Sequence, residues 1–122
     1  MSVILVVEDN DLNRRLFVDL LSTRGHTIYE ATDGKNALLS VEKYQPDLVL
    51  MDIQLPNVSG LEITQKIRQN CHIKQPRIVA VSAFALKQDA DKAIEAGCDD
   101  YISKPIAIAS FFATIEKNLN AS

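Results

Sequence analysis

Five short apolar runs, each followed by a helix-patterned stretch, leave this chain few folds to choose from. The runs cover residues 3–7, 27–31, 48–51, 78–81 and 101–102. The first, third and fourth (VILVV, LVLM, IVAV) carry only apolar side chains. Strands with one wet face alternate, so unbroken runs predict parallel strands covered on both sides. Between them apolar residues return with helical spacing. The first such stripe is Leu12, Leu16, Phe17, Leu20 and Leu21; the second is Ala37, Leu38 and Val41; the third is Leu61, Ile63 and Ile67. A fourth takes Leu86, Ala90, Ala93 and Ile94, and a fifth Ile108, Phe112, Ile115 and Leu119. Gly25 and Gly97 stop two helices, Asp33-Gly34 opens one, and Gln45-Pro46 ends it. The alternation predicts a single (βα)5 unit, a doubly wound three-layer α/β sandwich around a parallel five-stranded sheet. Periodicity says nothing about strand order.

One domain is expected over residues 1–122, with no room for a linker or output domain. A net charge of −3 gives no electrostatic reason to expect nucleic acid or a membrane surface as partner. No apolar stretch approaches the ~20 residues needed to span a bilayer, so no membrane insertion is expected. Glu8 and Asp9 interrupt the apolar start too early for a secretory signal. Cys71 and Cys98 show no metal or redox spacing and are expected to stay reduced in a cytoplasmic protein.

Sheets of this kind place their sites at the carboxyl ends of the strands, and five polar residues fall there. Glu8 and Asp9 follow the first run, Asp52 the third, Ser82 the fourth, and Lys104-Pro105 the fifth. Asp52 constrains the reading most, because a carboxylate at the end of a buried strand is costly to desolvate without compensation. Three clustered acids favour a hard divalent cation such as Mg²⁺, which takes one or two carboxylates and keeps several waters. Asp9 and Asp52 can bind it directly, the Gln54 backbone carbonyl can add a ligand, and Glu8 can hold a metal-bound water. Lys104 supplies one ammonium and Ser82 one hydroxyl, a set suited to accepting a phosphoryl group on Asp52.

Blander readings stay open at each position. Glu8 and Asp9 could cap the helix near Asp11, Ser82 could cap the fourth helix, and Lys104-Pro105 could be a solvated turn. Leu55, Pro56 and Gly60 are accounted for by the geometry of the loop after Asp52.

The segments VVEDNDLNRRL, LVLMDIQLPNVSG, IVAVSAFA and DDYISKP resemble the receiver domain of two-component response regulators. The resemblance covers the whole chain and is strongest to stand-alone receivers, although an EDNxxN opening also occurs in receivers of hybrid histidine kinases. It implies a flavodoxin-like sheet of order 2-1-3-4-5. It also implies that Asp52 is the phosphoacceptor, Glu8 and Asp9 the acidic Mg²⁺ pair, and Lys104 the phosphate-contacting lysine. Ser82 then resembles the switch hydroxyl, more often threonine in the family, and Tyr101 the switch aromatic. Tyr101 could equally stay half-buried in both states. Gln54 and Phe84 occupy the positions that flank the attacking water when the phosphoryl group is lost.

The function implied is a phosphoacceptor module, not an enzyme, that assists its own phosphorylation and dephosphorylation. Its donor would be a histidine kinase or histidine phosphotransferase, and its output a contact with a downstream protein or kinase. Two other classes compete. A phosphatase working through an aspartyl phosphate, of the haloacid-dehalogenase type, needs a second Asp where Gln54 stands, and a cap or longer core. A nucleotide- or flavin-binding domain needs a glycine-rich phosphate loop, whereas the four glycines here are scattered.

Overall fold

The three all-apolar runs form the middle of the sheet. The computed structural model describes residues 2–83 and 87–120. Its strands are β1 (Val3–Val7), β2 (Thr27–Ala31), β3 (Leu48–Asp52), β4 (Arg77–Ser82) and β5 (Asp100–Ser103). All neighbours are parallel, in the order β2-β1-β3-β4-β5. Only β1, β3 and β4 have neighbours on both edges, so the runs that read as buried are the central ones. The register brings the carboxyl ends level: Val7 lies opposite Ala31 and Met51, Asp52 opposite Val81, and Ser82 opposite Ser103.

Five helices follow the strands in turn: α1 (Asp11–Ser22), α2 (Gly34–Tyr44), α3 (Gly60–Gln69), α4 (Lys87–Ala96) and α5 (Ile108–Asn120). Successive strand residues face opposite sides, which divides the core in two. Leu5, Val7, Val49, Met51, Ile78 and Ala80 pack with Ala37 and Val41 of α2, Ile63 and Ile67 of α3, and Ala93 of α4. Ile4, Val6, Leu48, Leu50, Val79 and Val81 pack on the other side with Phe17 and Leu21 of α1 and Phe111 and Ile115 of α5. Local signals set the helix starts. Asp33 caps α2 by accepting the Asn36 N–H at 2.8 Å, and Asn10 caps α1 by accepting that of Asn13 at 3.0 Å. Asn10, not the acid pair, is therefore the cap of the first helix.

Several stripe residues face away from where their spacing put them. Leu12 is 81% exposed and Leu16 lies outside the core, while Phe17 and Leu21 face inward. At ~100° per residue, Leu12 stands about 140° round the helix from Phe17, too far to share a face. Ile94 is exposed beside the buried Ala93 and Ala96, and Ile108, the first residue of α5, is also exposed. Phe111, absent from the predicted stripe, is fully buried and stacks on Phe17 with ring centroids 5.7 Å apart. Leu86 lies outside the described residues. Cys71 is exposed and Cys98 buried, both without a disulfide partner among the described residues. No helix among the described residues is long and apolar enough to cross a membrane.

At the amino ends of β4 and β5 a polar clamp ties four elements together. Arg68 of α3 donates to the Pro76 carbonyl at 2.7 Å, and to the Gly97 carbonyl and the Asp99 carboxylate, both at 2.8 Å. Asp99 also accepts the Ile78 N–H at 2.8 Å. Asn118, buried in α5, donates to Asp100 at 3.0 Å and accepts from Arg77 at 3.1 Å. Gly97, with φ of +114°, ends α4 directly over the Arg68 side chain.

Candidate functional site

Each polar group singled out in the sequence arrives at one edge because each is the last residue of a strand, or follows it. Glu8 comes directly after β1 and is 1% exposed; Asp52 closes β3 and is 3% exposed. Asp9, the next residue, is exposed. One carboxylate oxygen from each of the three lies within 4.8 Å of the others. Lys104, just past β5, reaches between the two buried acids, with Nζ 2.8 Å from Glu8 Oε1 and 3.8 Å from Asp52 Oδ2. The lysine thus bonds to Glu8 and stands beside Asp52, a preference its position in the chain did not reveal.

The backbone fixes these placements. The Lys104 N–H donates to the Ser82 carbonyl at 2.7 Å, which ties the lysine to the end of β4. The peptide between Lys104 and Pro105 is cis. Ser82 is fully buried as the last residue of β4. Asp52 Oδ1 accepts the Gln54 N–H at 3.0 Å, which turns the chain immediately after the strand. Gly60 then passes so close that a Cβ there would sit 2.1 Å from the Asp52 carbonyl oxygen, and its N–H donates to the Ile53 carbonyl at 2.8 Å. Only glycine permits that approach, so the loop glycine sets the backbone under Asp52.

The electrostatics follow from burial. Burial pushes the Glu8 carboxyl above its ordinary value, contact with Asp52 raises it further, and the bond from Lys104 only partly offsets the rise. Three carboxylates against one ammonium leave two negative charges uncompensated in a site made of hard oxygen donors. That donor set fits a small divalent cation such as Mg²⁺. Glu8 Oε1 is taken by Lys104, and Oε2 accepts the Asn10 N–H at 3.3 Å. Asp9 and Asp52 are therefore the more available ligands.

Ser82 and Tyr101 share one side of the sheet. Tyr101 lies opposite Ala80, two residues before Ser82, and packs half-buried against the α2–α3–α4 side of the core. Phe84 lies outside the described residues. One residue the sequence reading passed over is Arg14, whose guanidinium grips the β1–α1 loop. Its spacing from Asp11 is an ordinary helical ion pair. Its other partner, Glu30, is distant in the chain, so no local pattern marks it.

This combination of a parallel 2-1-3-4-5 sheet with acids, lysine and hydroxyl at one edge defines a class. The chain belongs to the response regulator receiver domain family, whose pattern matches residues 4–116. It is a response regulator of two-component signal transduction. Among proteins of that family it is 42% identical over 116 residues to the polar-differentiation response regulator DivK of Brucella anthropi, covering 95% of this chain and 94% of DivK. DivK of Brucella ovis matches at the same identity and coverage. Among solved structures, the receiver domain of a sensor histidine kinase from Pseudomonas aeruginosa superposes with a TM-score of 0.89 at 31% identity, covering 98% of each chain. That structure has a magnesium ion coordinated in its active-site cleft. The receiver domain of NtrX from Brucella abortus gives a TM-score of 0.87 at 31% identity, over 98% of this chain and 99% of that one.

Proposed function

We infer that Asp52 accepts a phosphoryl group from a phosphohistidine on a histidine kinase or histidine phosphotransferase. The observation that carries this reading is a nearly fully buried carboxylate ending β3, 3.8 Å from the ammonium of Lys104 and clustered with two further acids. An Asp52 oxygen attacks phosphorus in line with the P–N bond. As the O–P bond forms the P–N bond breaks, and the donor imidazole, protonated on its other nitrogen, leaves neutral. Lys104 moves from Glu8 toward the transferred oxygens, a short step given where it stands. Ser82 donates its hydroxyl to one of them. Asp9, Asp52 and the Gln54 carbonyl, with a water on Glu8, would hold Mg²⁺, which would supply neutralisation of the charge on the phosphoryl oxygens.

The module promotes both gain and loss of its own phosphoryl group rather than turning over a separate substrate. Gln54 and Phe84 set how readily water reaches the aspartyl phosphate. Residues 1–122 act as one receiver, in the cytoplasm. The signal leaves by protein contact on the face made by α4, β5 and α5, to a downstream protein or a kinase. Ser82 and Tyr101, on the same side of the sheet, carry it: the hydroxyl is drawn to the new oxygens and the ring turns into the space left behind. Incubating wild type and Asp52→Asn with a radiolabelled phosphorylated kinase tests the reading. Label is expected on wild type alone, and stoichiometric labelling of Asp52→Asn would show that another group is the nucleophile.

A further inference from the structure

The peptide that carries Glu8 and Asp9 leaves the sheet after the Glu8 N–H donates to the Ala31 carbonyl at 3.0 Å. Beyond that bond the Glu8 carboxylate is held by Lys104 and the Asn10 N–H, and the Glu8 carbonyl is held by a different side chain. Arg14, one turn into α1, reaches back so that Nη1 donates to the Glu8 carbonyl at 3.2 Å. Nη2 donates to Asp11 at 2.6 Å, and Nε to Glu30 of β2 at 3.0 Å. Every guanidinium nitrogen is engaged, each with a different segment: the loop, the helix and the edge strand. The side chain is only 17% exposed, while its neighbour Arg15 is 82% exposed and makes a single loose pair at 3.9 Å to Asp19. A planar fork with donors fixed in direction holds three acceptors in one arrangement, which a flexible ammonium cannot do.

We propose that Arg14 is a positioning residue for divalent-cation binding: tethered to Glu30, it fixes the Glu8 carbonyl and so the peptide that aims Asp9 toward Asp52. The proposal rests on reading the acid cluster as a cation site. It is distinguishable from a simple charge effect by its sign. A guanidinium on the peptide that carries Glu8 and Asp9 opposes a cation electrostatically, so removing it would tighten Mg²⁺ binding if charge were all that mattered. If Arg14 acts by holding the loop, removing it weakens binding.

The test titrates the full chain with MgCl₂ as wild type, Arg14→Gln, Arg14→Lys and Glu30→Gln, following the backbone amides of Asp9 and Asn10 by NMR. The dissociation constant is expected to rise about 10-fold in Arg14→Gln, the lower end of what groups orienting metal ligands usually contribute. Arg14→Lys should remain weakened despite keeping the charge. Glu30→Gln, which leaves the guanidinium but removes its tether on β2, should weaken binding by a smaller factor. Unchanged or tighter binding in Arg14→Gln, or full affinity in Arg14→Lys, overturns the proposal. If Arg14→Gln does not fold, Arg14→Lys, which keeps the charge, decides, and wild-type affinity there overturns it. A wild type that binds no Mg²⁺ refutes the cation site itself, and the proposal with it.

Discussion

Replacing Asp52 by Asn should make the metal-free protein more stable, even though Asp52 is nearly fully buried at the end of a central strand. Asn keeps the shape and the acceptor for the Gln54 N–H, so the change is one of charge. With carboxylate oxygens within 4.8 Å and an effective dielectric of ~20, Glu8 and Asp52 repel by at least ~3.5 kcal/mol. Attraction to Lys104 at 3.8 Å returns about 4 kcal/mol on the same basis. Those two terms nearly cancel. Asp9 adds repulsion that solvent screens. The undiscounted remainder is the desolvation of the Asp52 carboxylate, which runs to several kcal/mol per buried ion before its hydrogen bond is counted. The net gain for Asp52→Asn should be about 1–3 kcal/mol, or roughly 4–12 °C in Tm for a domain of this size. Urea unfolding and calorimetry in EDTA measure it. Mg²⁺ at 1,000 times its Kd should reverse the ranking, because a ligand of the folded state at that excess adds about 4.1 kcal/mol to wild type alone. If Asp52→Asn is the less stable protein in EDTA, attraction to Lys104 outweighs both repulsion and desolvation, and the account of an uncompensated acid cluster is wrong.

Mg²⁺ should raise the Tm of wild type, and Asp9→Ala should lose most of that gain; an equal shift in the variant would remove Asp9 from the cation site. The raised Glu8 carboxyl has a definite consequence for pH. The folded state binds that proton more tightly than the unfolded chain, so stability falls as pH rises from the ordinary carboxylate range through the raised value. Metal-free Glu8→Gln should lack this component, so a stability profile parallel to that of wild type over the same range would contradict it. With a beryllofluoride mimic on Asp52, the Tyr101 ring signals should shift in wild type and not in Ser82→Ala; identical signals in all four samples would dispose of the coupled switch.

Burial made much of this molecule legible in its sequence. The runs VILVV, LVLM and IVAV read as parallel strands covered on both faces, and a lone Asp after one of them reads as a costly group in need of partners. Strand order came from family resemblance, since the pattern of a strand is the same wherever it lies in a sheet. Helix facing was harder. Leu12, Leu16, Ile94 and Ile108 are as apolar as the residues that pack, and only the position of the sheet decides between them. Adjacent Phe111 and Phe112 could each have claimed the inner face, and Phe111 takes it because it stacks on Phe17. The site's membership was legible, but its internal bonding was not. Lys104 meets Glu8 across 96 residues, and Arg14 meets Glu30 across 16. Neither pairing leaves a mark on local spacing.

The clamp built by Arg68, Asp99 and Asn118 bears on how a message can cross the domain. It anchors the carboxyl end of α4 through the Gly97 carbonyl, at the end of the sheet away from Asp52. In the proposed switch, a helix pinned there would respond to a push near Ser82 as a lever does, with its fulcrum at residues 96–99. Displacement then grows toward the Lys87 end, while the fulcrum transmits almost none. The outer face of the first turns of α4 would then be the sensitive reporter, and a reader gripping only the last turn would sense little. Loosening the fulcrum would convert the swing into a slide and spread the same motion along the whole helix.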